Sequence, residues 1–173
     1  MSVWRLRGAM KTTYLTAVAV LLCCTITPVH AADDAGLQRL ALCQDSWVDW
    51  QKKDPAQMQK FAAYFRGHFT RHDNDPYWLP KQKVLIMGLN VPQVFPESIG
   101  MAVGFSLAVD APFDKARTAV EKASGKKLAH CENSDDMKTC DLELAPQRAL
   151  TIMAEDSPKA TQTLVGCYYF YEK

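Results

Sequence analysis

The chain has 173 residues, 48% of them hydrophobic, with 20 Lys and Arg against 19 Asp and Glu and a formal charge of +1. No basic excess is present to hold a phosphate backbone, and Lys126-Lys127 amounts to only two charges, which argues against a nucleic-acid partner.

The chain opens with Arg5, Arg7 and Lys11 and no acidic residue before Asp33, runs through the apolar stretch Leu15 to Cys24 and reaches Val29-His30-Ala31. A positive start, an apolar middle and a small-residue end predict a secretory signal peptide over 1–31, cleaved after Ala31. A membrane span fits less well, because Pro28 closes the uncharged run and Asp33 and Asp34 stand where a positive stop-transfer flank belongs. Met10-Lys11-Thr12 is itself a short positive start, so translation beginning at Met1 or at Met10 is compatible with export. Leu22 before Cys23 does not fit a lipid-anchored cleavage site. Removal of 1–31 leaves 32–173 as one expected domain with 17 basic and 19 acidic residues, a charge of about −2, placed in the periplasm or outside the cell.

Leu37, Leu40, Cys43, Trp47 and Trp50 recur at threes and fours, predicting a helix over 33–53. Asp54-Pro55-Ala56-Gln57 restarts the chain with a capping residue, a proline at the first helical position and a capping-box glutamine. The second helix then shows Met58, Phe61, Ala62 and Phe65 on one face and is expected to stop at Gly67. Residues 66–82 carry two prolines, Asp73-Asn74-Asp75 and exposed-looking Tyr77 and Trp78, and follow neither period; long irregular loops often carry function. Val84 to Met87 and Met101 to Val109 read as strands separated by a turn at Pro92 and Pro96. Asp110-Ala111-Pro112 opens a third helix, with Phe113, Ala116, Ala119, Val120 and Ala123 on one face and Gly125 as its stop. Lys127 to Cys131, Met137 to Leu144, Ala149 to Ala154 and Thr163 to Tyr171 follow as four strands joined by short polar turns, the pattern of an antiparallel meander. The expected class is α+β: an antiparallel sheet of about five to six strands, with two N-terminal helices and one further helix packed on it.

Loss of the signal reduces six cysteines to Cys43, Cys131, Cys140 and Cys167, which in an exported chain point to two bridges among three possible pairings. Cys131 and Cys140 flank a polar stretch that reads as a hairpin tip, so their pairing is local. Cys43 with Cys167 would then close a long loop, worth about 4 to 5 kcal/mol on chain-entropy grounds. The spacings hold no pair of C-x-x-C motifs of the kind that binds zinc.

His68 and His72 are four apart with Asp73 and Asp75 behind them, and these loop residues are the candidates for a metal or small-ligand site. Gly67 and the turn chemistry of Asp73-Asn74-Asp75-Pro76 speak against His68, His72 and Asp73 sharing one helical face, so no metal is assigned. The Asp-Asn-Asp run also lacks the glycine and late glutamate of a calcium loop. Gly104-Phe105-Ser106 lacks the second glycine of a nucleophile elbow, and no Gly-rich phosphate loop is present. Tyr168 to Tyr171 are aromatic on both parities of a strand, which suits either core packing or a partner anchor. The expected function is therefore non-enzymatic: a periplasmic protein-binding domain, an inhibitor or immunity protein against a toxic or wall-degrading enzyme, monomeric or homodimeric and without a cofactor. Its contact residues are expected among His72, Asp73, Asp75, Tyr77 and Trp78 of the loop and Asp135 and Asp136 of the hairpin tip. A ligand-binding protein using the His68–Asp75 loop and a hydrolase are the alternative expectations.

Overall fold

The computed structural model describes residues 31–96, 102–134 and 136–170. The expected signal peptide, apart from Ala31, and both candidate starts lie outside them, as does Asp135. Among the described residues the order is α1 (Ala31–Ala41), α2 (Trp47–Lys53), α3 (Pro55–His68), β1 (Phe69–Thr70), β2 (Leu79–Pro80), β3 (Leu85–Ile86), β4 (Leu89–Asn90), β5 (Gln93–Phe95), β6 (Ala102–Val109), α4 (Phe113–Ser124), β7 (His130–Ser134), β8 (Met137–Ala145), β9 (Arg148–Glu155) and β10 (Thr163–Phe170). Six strands form one antiparallel sheet in the order β5-β6-β10-β9-β8-β7, so the α+β expectation holds. The meander β7 to β10 follows from its short connections, while α4 carries the chain from β6 to the far edge.

Strand alternation sends Phe105, Leu107, Val109, Cys140, Leu150, Ile152, Val165 and Cys167 to one face of the sheet. There they join Leu37 and Leu40 of α1, Phe61 and Phe65 of α3, and Ala116 and Val120 of α4 in a single buried cluster. The helices therefore cover this face. Cys43–Cys167 ties the chain after α1 to β10, and Cys131–Cys140 links β7 to β8 at paired positions, as the spacing predicted.

The helix expected over 33–53 is two helices. Cys43 takes a left-handed φ of 55°, and Gln44 and Asp45 both turn their N–H groups back to the Arg39 carbonyl at 2.8 and 3.1 Å, which closes α1. Ser46 then accepts from the Asp49 N–H at 3.0 Å and caps a new start. The periodicity ran through the break because Cys43 is drawn to the core by its bridge rather than by a helical face. Asp54 caps α3 as expected, accepting from the Gln57 N–H at 3.0 Å. That helix passes Gly67 and ends at His68, and the Lys81 ammonium donates to the carbonyls of Arg66 and Gly67 at 3.2 and 3.0 Å. The loop is also shorter than expected, since β1 pairs with β2. Val84 to Met87 contributes only β3, which pairs with β4 outside the large sheet, and β5 occupies the stretch read as a Pro92–Pro96 turn.

Candidate functional site

The loop residues are placed apart from one another. The His68 ring stacks on Tyr64 with centroids 4.5 Å apart, its Nδ1 lies 2.9 Å from the Tyr64 carbonyl, and the Tyr64 hydroxyl donates to Asp34 at 3.0 Å. Asp34, Tyr64, His68, Lys81 and Lys83 line a cleft of about 220 Å³. His72 and Asp73 are exposed and outside it, and among the described residues no three His, Cys, Asp or Glu side chains gather to hold a metal. Asp75 uses its backbone to close the turn, its N–H donating to the His72 carbonyl at 3.0 Å and its carbonyl accepting from Arg71 at 2.8 Å.

Tyr77 and Trp78 are half-buried rather than exposed. Trp78 exchanges backbone hydrogen bonds with Val94 at 2.8 and 2.9 Å and packs edge-on against Phe65 at 5.0 Å, which makes it part of the core margin. Tyr77 leans on Phe95 at 5.8 Å. Asp136 sits in the β7–β8 turn with φ 66°, and its carbonyl accepts from the Asp156 N–H at 2.5 Å. The loop thus lies beside β5 and the hairpin tip beside β7, at opposite edges of the sheet and roughly 24 Å apart at about 4.8 Å per strand spacing.

What joins those edges is the sheet face turned away from the helices. By register, Phe95, Ser106, Gly166, Thr151, Asp141 and His130 form one row across all six strands. Toward the hairpin tip, Phe95, Leu164, Met153 and Met137 line a depression of about 250 Å³ with Gln93, Glu155 and Gln162. The centre is built of small residues roofed by one large one. An added Cβ on Gly166 would lie 2.6 Å from Ser106 and 2.9 Å from the Tyr168 ring, so Tyr168 lies against the bare backbone. Tyr168 is only 4% exposed, and burial, opposed by a side-chain hydrogen bond with Ser106 and reinforced by the Asp141 charge, pushes its phenol up. Among the described residues the buried Asp141 Oδ1 has no hydrogen-bond partner.

Reading the chain locally missed Phe95, Met137, Met153 and Leu164 as site residues. Alternation offered a signal in β10, which carries large apolar residues on both parities and so has one apolar set more than the helix-covered face consumes, while β9 adds only Met153 on the outer parity. Among the described residues this is a disulfide-braced α+β fold with one sheet face covered by helices and the other formed by strand side chains. Compared with known protein families, curated proteins and solved structures, the chain matches none.

Proposed function

We propose that this is an exported, non-enzymatic protein-binding domain of the inhibitor or immunity type, acting in the periplasm after loss of its signal peptide and holding its partner on the sheet face turned away from the described helices. The observation that carries this reading is the apolar stripe from Phe95 through Leu164 and Met153 to Met137, which runs between Tyr77 at one edge and the hairpin tip at the other. Met137, at the tip end of the stripe, is 37% exposed. Contiguous apolar surface of this kind is a common mark of protein interaction sites. The two bridges support the reading in another way: they suit an oxidising compartment and hold β10 and the β7–β8 pair in place, so little ordering entropy is lost on docking.

The test uses immobilised oxidised protein exposed to periplasmic extract. A saturable partner should be captured by the wild type and by His72→Ala/Asp73→Ala, and lost with Met137→Gln/Met153→Gln, all three showing native unfolding curves. Undiminished capture by the methionine variant, or no saturable partner at all, would refute the placement.

A further inference from the structure

Resting on that reading, we infer that the partner is a cationic protein that sets a Lys or Arg side chain against Asp141 at the centre of the face. The parity that points away from the helices carries Glu132, Asp141, Glu143 and Glu155, and its described residues include no Lys or Arg. Lys138, the nearest cation in sequence, belongs to the opposite parity and is held 2.8 Å from Asp156. The face is therefore acidic as well as apolar, a combination that attracts a basic surface and repels an acidic one.

A second, independent feature marks the same place. Tyr168 is almost wholly buried on this parity and has Ser106 facing it, whereas the inner oxygen of Asp141 on the same face lacks a hydrogen-bond partner among the described residues. Buried polar atoms are nearly always satisfied, so this carboxylate oxygen has a hydrogen bond still to make. A guanidinium or ammonium supplies what the oxygen needs, because it donates several hydrogen bonds and accepts none. It also neutralises the carboxylate, and a charge-assisted bond of this kind is about twice as strong as a neutral one.

Two matched amphipathic peptides provide the test, one built of Lys and Leu and the other of Glu and Leu, titrated into the oxidised protein while backbone amides are followed by NMR. The Lys–Leu peptide should shift Asp141, Met153, Leu164 and Tyr168 and bind at least about tenfold tighter than the Glu–Leu peptide. That preference should shrink as added salt shortens the screening length from about 10 Å at 0.1 M to about 3 Å at 1 M. Glu143→Gln/Glu155→Gln, at two exposed positions, should reduce the preference, and adding Asp141→Asn should abolish it. Equal binding of both peptides at the face would overturn the cationic partner while leaving the face as a docking surface. Binding of neither peptide there would overturn both.

Discussion

At the scale of single residues, Gly166 and Tyr168 are coupled across bare backbone. Gly166→Ala would press a methyl group into the Ser106 side chain, the Tyr168 ring and the Phe105 carbonyl, which lies 3.0 Å away, and two of these three cannot easily move. Overpacking of this sort should cost about 2 to 3 kcal/mol, read as a lowered denaturant midpoint. Tyr168→Phe should change the stability of the free protein by no more than about 1 kcal/mol at neutral pH, because the buried hydroxyl that it removes has only Ser106 facing it. The two proteins should also differ in alkali. Since burial raises the Tyr168 phenol above its ordinary 10.0, the neutral form is the folded one, so its contribution is complete below pH 10 and is lost as pH rises through the raised value. Unfolding curves between pH 9 and 12 should show a steeper loss for the wild type than for Tyr168→Phe, and parallel curves would contradict the assignment.

Among the elements, α4 shows how far local chemistry can define a segment. Gly125 closes it with φ 69° and an N–H bond of 3.0 Å to the Glu121 carbonyl, as its sequence position implied. Nothing local announced what Glu121 does. Its carboxylate accepts from Lys127 at 2.6 Å, from Arg117 at 3.2 Å and from the Leu128 N–H at 3.1 Å, fastening the loop after α4 back onto the helix. These contacts, led by the Lys127 ammonium, hold Glu121 below its ordinary 4.5. A depressed acid stabilises the fold above its unfolded value and stops doing so as pH falls through the folded one. Glu121→Gln should therefore cost about 1 to 2 kcal/mol at pH 7 by chemical denaturation, with the gap to wild type closing as pH falls below 4.5 and through the depressed folded value. The α1–α2 break was hidden for a related reason: apolar periodicity reports which side chains reach the core and is silent on a reversed φ at Cys43.

For the whole molecule, the two bridges should contribute unequally. Cys43–Cys167 spans 124 residues and Cys131–Cys140 spans nine, so on chain-entropy grounds replacing each pair by alanine should cost about 5 and about 2.7 kcal/mol respectively. Equilibrium unfolding of the two double variants gives the comparison directly, and an equal loss would mean that loop closure is not the governing factor. Reducing the long bridge should also loosen β10, the strand carrying Leu164 and Tyr168, and so weaken the proposed docking face more than loss of the edge bridge does.

Taken alone, the sequence determined the α+β class, the four-strand meander, the starts and stops of α3 and α4 within a residue, and the local Cys131–Cys140 pairing, which left Cys43 to Cys167 by elimination. Apart from that last pair, these features depend on alternation, turn and capping chemistry and chain proximity, all of which act over a few residues or within one loop. Only the tertiary structure decided that β5 forms the sheet edge, that Trp78 belongs to the core margin, and that the loop and the hairpin tip stand at opposite edges. It alone assembled Phe95, Leu164, Met153 and Met137 from four strands into one stripe, because strand order and register are set by long-range pairing that no short stretch of sequence encodes.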